Sequence, residues 1–173
     1  MSKTGLQYFV LFILLFLAQV LICNHVVLFH VAVPLIFIYF IIRLPLGLSL
    51  NWQLTLAFCL GFLIDIFSDT PGVNALACTL LTIMRKPVFY AYVQRDDKMK
   101  DITPTIGKLG LWTYIKYLLS LTVIYCLLAF GIEYFSLADV KEIAISAGAS
   151  ALFTFCLLLG LDSLMTSKRE KRL

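Results

Sequence analysis

Charged residues are scarce in this chain. Only 14% of its 173 residues are Asp, Glu, Lys or Arg, whereas 61% are hydrophobic, and the mean hydropathy is +0.96. Soluble domains contain about 25% charged residues, so the composition excludes a soluble globular protein and predicts an integral membrane protein. The longest polar stretch, residues 85–110, is partly apolar and too short for a soluble catalytic domain.

The chain also lacks the usual signatures of catalysis and of metal or cofactor binding. Its five cysteines form no C-x-x-C pair, which argues against a zinc site or a redox dithiol. We find no H-E-x-x-H sequence, no Ser/His/Asp set and no glycine-rich phosphate loop. We therefore expect no enzymatic activity, no cofactor and no metal. The basic C-terminus is better explained as a topology signal than as a nucleic-acid site.

Six apolar runs remain, and each is long enough to approach the roughly 20 residues of a membrane-spanning helix. They predict an all-α fold with a single transmembrane domain over residues 1–173. Pro34 predicts a kink in the second helix, and Thr70 before Pro71 predicts the start of the fourth. The predicted helices span residues 6–23, 26–42, 52–67, 71–86, 111–132 and 143–164.

Basic residues predict the orientation of this six-helix bundle. With the N-terminus inside, the inner segments carry 12 Lys and Arg residues and the outer loops carry only Lys141. The positive-inside rule then places both termini in the cytoplasm. Residues 87–110 are expected to form a cytoplasmic or interfacial loop, and residues 165–173 a basic cytoplasmic tail. The basic residues assigned to this loop and its edge are Arg85, Lys86, Arg95, Lys98, Lys100 and Lys108.

Small residues mark the beginning of the sixth predicted helix. Ala144, Ala147, Gly148 and Ala151 recur at a spacing that gives one face without large side chains. Such faces allow close packing of membrane helices. We therefore expect this face to pack against another helix.

One carboxylate lies inside an apolar run. An ionisable residue in a membrane helix is costly, which makes Asp65 a candidate functional residue. Asp69 follows one helical turn later, and we expect Asp69 or Thr70 to cap the next helix. Asn74 is placed to bond back to the third helix. Asp65 then has three possible roles: a polar contact that fixes the bundle, part of a pocket for a ligand or proton, or a catalytic acid.

The residues around Asp65 form a pattern that is unusual in an apolar context. The pattern is Gly61-x-x-x-Asp65-x-x-Ser68-x-x-Pro71-Gly72-x-Asn74-Ala75-Leu76. It resembles the rod shape-determining protein MreD family of bacteria. Arg43-Leu44-Pro45 before this helix pair and Arg85-Lys86-Pro87 after it are also similar. Elsewhere the resemblance is one of length and predicted topology.

The resemblance implies a non-enzymatic component of the cell-elongation machinery in the bacterial cytoplasmic membrane. The implied partners are MreC, a single-span protein with a periplasmic coiled coil, and through that complex MreB, RodA and its transpeptidase partner, together with membrane lipids. The resemblance also implies a fold similar to the substrate-binding subunits of energy-coupling-factor vitamin transporters. The alternative function is accordingly a small-molecule transport subunit or a lipid-pocket protein. Gly61, Asp65, Ser68, Asp69, Pro71, Gly72 and Asn74 would form a partner-binding or structural turn.

Overall fold

A computed structural model describes residues 3–23, 33–93, 103–133 and 140–170 of the chain. Within these ranges, the regular elements are all α-helices. They are α1 (Lys3–Leu21), α2 (Ile38–Arg43), α3 (Leu50–Ser68), α4 (Val73–Tyr92), α5 (Ile106–Leu109), α6 (Leu111–Glu133) and α7 (Val140–Glu170).

Three of the described helices are long and apolar enough to cross a membrane. They are α3, α6 and the Ala144–Ser163 part of α7, and a shorter apolar helix, Gly5–Leu21, lies within α1. α4 has 20 residues but carries Arg85 and Lys86 near its C-terminal end. These lengths and compositions indicate a membrane protein.

The long helices pack side by side in the order α1, α3, α4, α6 and α7. Each buries a stripe of residues at helical spacing, which in α3 is formed by Gln53, Ala57, Leu60, Ile64 and Asp65. Because α3 and α4 are joined by a tight turn, they run antiparallel with the turn at one end of the bundle. We call this the turn end; Arg43, at the last position of α2, lies at the opposite end.

The short helix α2 is the centre of the hydrophobic core. Residues 38–42 are each at most 1% exposed, and the helix contacts α1, α4 and α6. Its side chains are apolar on every face up to Arg43, which suits a helix surrounded by protein. Phe40 meets Phe12 edge to face at 5.2 Å between ring centroids, and Phe37, just before the helix, meets Tyr125 at 5.6 Å.

The predicted second helix, residues 26–42, is helical only from Ile38 in the part that the structure describes. Residues 26–32 lie outside the described ranges, and residues 33–37 are not helical. Pro34 explains the break, because proline has no N–H to donate and keeps the preceding residue out of the α conformation. The kink expected at Pro34 is therefore an unwound segment.

Side chains from neighbouring helices satisfy the backbone of this unwound segment. Ser150 Oγ accepts from the N–H of Val33 at 3.1 Å, and Thr154 Oγ1 accepts from the N–H of Leu35 at 3.0 Å. Gln19 binds twice: its Oε1 accepts from the N–H of Ile36 at 3.0 Å, and its Nε2 donates to the carbonyl of Pro34 at 2.9 Å. Irregular backbone inside a membrane protein needs such replacement partners.

The fourth helix starts later and ends later than predicted. It spans Val73–Tyr92 instead of residues 71–86, so the first part of the predicted loop, residues 87–92, is helical. Pro87 is inside α4 and does not end it; a proline in a membrane helix is tolerated when neighbours satisfy the freed backbone groups. At the other end of the chain, α7 continues to Glu170, into the predicted tail, of which residues 171–173 lie outside the described ranges.

Candidate functional site

The chain reverses between α3 and α4 in a four-residue turn that needs two left-handed residues. Asp69, the C-cap of α3, has φ 55°, and Gly72, the N-cap of α4, has φ 81°. Aspartate is among the few non-glycine residues that adopt this conformation readily, and glycine adopts it without steric cost. Asp69, Pro71 and Gly72 are exposed, and Ser68 is half-buried at the end of α3.

Asp65, which lies in α3, caps the N-terminus of the next helix, α4. Its Oδ1 accepts from the backbone N–H of Asn74 at 2.9 Å, and its Oδ2 accepts from the N–H of Ala75 at 2.8 Å. These are N–H groups of the first turn of α4, which have no partner within the helix. The carboxylate is only 6% exposed. Its negative charge also lies at the positive end of the α4 dipole.

The expected caps, Asp69 and Thr70, do not fill this role. Thr70 instead donates its hydroxyl to Asp65 Oδ1 at 2.8 Å. The physical reason is that the left-handed Gly72 delays the start of α4 to Val73, two residues beyond the predicted Pro71. At that position, the first-turn N–H groups face α3, where Asp65 can accept from two of them.

Asn74 connects this cap to a third helix. The expected bond to α3 is present, since Asn74 Nδ2 donates to Asp65 Oδ1 at 3.0 Å, and Nδ2 also lies 3.1 Å from Thr70 Oγ1. On the other side, the hydroxyl of Tyr125 in α6 donates to Asn74 Oδ1 at 2.6 Å. Asp65, Thr70, Asn74 and Tyr125 therefore form one buried network across α3, α4 and α6, which we call the Asp65 network.

Gly61 allows the two helices to approach closely enough for the Asp65 cap to form. A Cβ built at Gly61 would lie 2.5 Å from the carbonyl oxygen of Asn74 and 2.7 Å from the backbone N and Cα of Ala75. Real Cβ atoms are essentially never this close to backbone atoms. A residue with a Cβ therefore cannot occupy position 61 while the first turn of α4 stays where it is.

Replacing Gly61 with alanine should therefore displace α4 and weaken the Asp65 cap. Because overpacking a well-packed contact costs about 1–3 kcal/mol, Gly61→Ala should lower the free energy of unfolding by that amount in detergent micelles. The matched control is Gly131→Ala in α6, where a Cβ meets nothing within 4 Å. Equal stability of the two variants in a denaturant titration would contradict the close approach.

A cleft of about 430 Å³ opens beside the Asp65 network. It is bordered by Gln19 of α1, the unwound segment at Val33 and Leu35, the end of α3 with the turn, and the end of α6. Asn74 belongs to both the network and the cleft wall. The sequence alone did not predict this cavity, because it depends on how α1 and the unwound segment lie against α3.

A second buried polar cluster lies at the opposite end of the bundle. Asp162 of α7 is fully buried and forms a salt bridge with Arg43 at 2.8 Å. Tyr39 donates its hydroxyl to the same Asp162 oxygen at 2.6 Å, and its ring lies 5.4 Å from the Arg43 guanidinium carbon. This cluster fixes the end of α2 to α7.

Arg85 is also buried at this end, although it was predicted to belong to the cytoplasmic basic loop and its edge. Its side chain is 0% exposed and donates to the carbonyl of Leu44 and, at 3.4 Å, to Gln53 Oε1. The reason is that α4 continues past Pro87, so Arg85 is on the inward face of a helix, four residues before the buried Phe89.

The other predicted loop residues lie in different surroundings. Lys86 is half-buried in α4, and Lys108 is exposed in α5. Arg95, Lys98 and Lys100 lie outside the described residues.

The small residues of α7 are divided between two faces of the helix. Ala147 and Ala151 are 2% and 4% exposed and lie on the face that also buries Ser150, Thr154, Leu158 and Asp162. Ala144 and Gly148 are exposed. Half of the predicted packing face is thus used inside the bundle, and the other half points away from it.

The interior contains more polar residues than those of the Asp65 network. Among the residues whose burial the structure describes, the buried polar and charged ones besides Asp65 and Asn74 are Gln19, Gln53, Thr82, Arg85, Thr122, Ser150, Thr154 and Asp162. In α7 the sequence does indicate which polar residues are buried. Ser150, Thr154 and Asp162 share the helical spacing of the small residues Ala147 and Ala151. Among the described residues, no group of three or more His, Cys, Asp and Glu side chains is placed to hold a metal ion.

In the part of the chain that the structure describes, the regular elements are all helices, three of them are long and apolar enough to span a membrane, and buried hydrogen bonds connect the helices at both ends of the bundle. Comparison of the chain with protein-family models, with curated proteins and with solved structures finds no match.

Proposed function

We propose that this chain is a non-enzymatic scaffold of the MreD type in the bacterial cytoplasmic membrane. The observation that carries this proposal is how the residues of the motif are used: Gly61, Asp65 and Asn74 form one buried contact between α3 and α4. Both carboxylate oxygens of Asp65 accept bonds from α4. An acid engaged in this way stabilises a shape; a catalytic acid or base must instead reach the proton that it transfers.

In this proposal, the chain crosses the membrane six times. The three spanning helices are joined by α1, by α4 and by the segment that contains α2. The positive-inside rule supports cytoplasmic termini, with the turn end toward the periplasm and Lys86 and Lys108 near the cytoplasm. A basic cytoplasmic surface would suit MreB or acidic lipid headgroups, at about 1 kcal/mol per basic residue near the membrane.

The exposed half of the small-residue face is the proposed contact for the spanning helix of an MreC-like partner. Ala144 and Gly148 are exposed on α7, and their large neighbours Ile145 and Leu152 are 65% and 64% exposed. Small residues flanked by large apolar ones allow a second helix to approach closely in a membrane. RodA and its transpeptidase partner would be reached through that complex.

Co-purification in mild detergent, followed by mass spectrometry, tests the proposal. We expect recovery of a single-span coiled-coil protein with wall-synthesis enzymes, and at least a tenfold loss of that protein from Gly148→Leu. Gly160→Leu is the matched control, because Gly160 is exposed on the same helix and a Cβ meets nothing within 4 Å at either glycine. Equal recovery from both variants would exclude this face of α7 as the contact.

The alternative, a transport subunit or a lipid-pocket protein, gains one specific observation from the structure. The cleft beside the Asp65 network and the unwound segment on its wall resemble the broken helices that form binding sites in transporters. In the same co-purification experiment, recovery of an ATPase pair with a shared membrane coupler would favour this alternative and overturn the scaffold proposal.

A further inference from the structure

The cleft at the turn end has the size of a small-molecule site. Its volume of about 430 Å³ falls within the ~300–1,000 Å³ of typical ligand pockets. Non-helical backbone within a membrane protein is tolerated where it is buried or lines a cavity. The unwound segment contributes Val33 and Leu35 to this wall.

The polar side chains of the inner wall are already engaged. Both amide atoms of Gln19 bind the unwound segment, and both amide atoms of Asn74 belong to the Asp65 network. Among the described residues of the wall, the ionisable ones are Asp69 and Glu133, which are both exposed carboxylates. None of the described residues that line the cleft is Lys, Arg or His.

The end of α3 adds to the negative potential of the cleft. α3 ends at Ser68, so its C-terminus, equivalent to about −0.5 charge, borders the cleft. The N-terminus of α4 is also there and would ordinarily attract an anion. Asp65 already supplies that negative charge, since its carboxylate accepts from the first-turn N–H groups.

We propose that this cleft binds a small amphiphile with an ammonium group. Leu35, Ile64 and Phe130 would contact its apolar part, and Asp69 and Glu133 would attract the ammonium. Two sources share this chemistry, a free organic amine and the headgroup of an ethanolamine lipid. The inference rests on the cleft alone and not on the scaffold proposal, so either can fail without the other.

Calorimetric titration of the full chain in phosphatidylcholine nanodiscs tests this assignment. The probes share a phenyl-ethyl frame: phenethylammonium, phenethyl alcohol and 3-phenylpropanoate. We expect phenethylammonium to bind at least tenfold more tightly than the other two. The double variant Asp69→Asn, Glu133→Gln should raise its Kd at least tenfold, and asparagine suits the left-handed position 69. Lys116→Gln, an exposed charge change elsewhere on α6, should leave the Kd unchanged.

Two results would overturn the proposal. One is binding of 3-phenylpropanoate as tight as that of phenethylammonium, which the unmodified protein alone can reveal. The other is less than a threefold change in the Kd for phenethylammonium in the double variant. Nanodiscs that contain phosphatidylethanolamine then identify the source: competition with phenethylammonium assigns the site to the lipid headgroup, and its absence assigns the site to a free amine.

Discussion

Asp65→Asn should lower the free energy of unfolding by about 3 kcal/mol. The substitution keeps the shape of the side chain but replaces one acceptor oxygen with an NH₂ group that faces backbone donors. At least one first-turn N–H of α4 then stays buried without a partner, and a hydrogen bond to a charged group contributes about 1.5–3 kcal/mol. The loss of negative charge at the α4 N-terminus adds up to about 1 kcal/mol.

The measurement is an equilibrium denaturant titration of the purified variant in detergent micelles. Asp69→Asn is the control, because it makes the same chemical change four residues later at an exposed left-handed position. A surface change of this kind alters stability by no more than about 0.5 kcal/mol. If the two variants were equally stable, the Asp65 carboxylate would not cap α4.

Asp162→Leu should lower the free energy of unfolding by about 3–5 kcal/mol, which is at least as much as Asp65→Asn. Removing one partner of a buried ion pair leaves the other charge unpaired, and this cost is larger than the net contribution of the pair. Arg43 would remain near a fully buried position without its ion-pair partner, with the ring of Tyr39 still close to its charge. Since Arg43 is 15% exposed, we expect a value near the lower end of that range.

A double-mutant cycle distinguishes this mechanism from simple loss of packing. Arg43→Met together with Asp162→Leu replaces both charges with apolar groups, which is often neutral for buried pairs. The double variant should therefore be more stable than the sum of the two single effects predicts, with a coupling of at least 1 kcal/mol. Additive effects within about 0.5 kcal/mol would mean that the two side chains act independently.

The sequence pattern predicted the α3–α4 turn and the bond from Asn74 back to α3, but it left three roles open for Asp65 and did not include Tyr125. The identity of the cap was not predictable in the same way. It depends on the rotation of α4 about its axis, which is set by the left-handed Gly72 and by contact with Gly61.

Two prolines caused the main errors in the predicted helix boundaries. Near Pro34 the structure has less helix than predicted, and at Pro87 it has more. Pro34 was expected to kink a helix, but the helix is absent there because Gln19, Ser150 and Thr154 supply other partners for the backbone. Pro87 was expected to end a helix, but α4 passes through it and carries Arg85 into the interior. For Pro34 the outcome depends on side chains far away in the sequence, which local patterns do not reveal.

The bonds that hold α2 impose an order on biosynthesis. The partners of residues 33, 35, 39 and 43 in α7 follow them by 117, 119, 123 and 119 residues. A ribosome must therefore translate as far as α7 before this segment can form its final bonds. Until then, the backbone N–H groups of Val33 and Leu35 need water or other temporary partners, which the apolar interior of a bilayer does not supply. The centre of the bundle is consequently among the last parts of the molecule to reach its final structure.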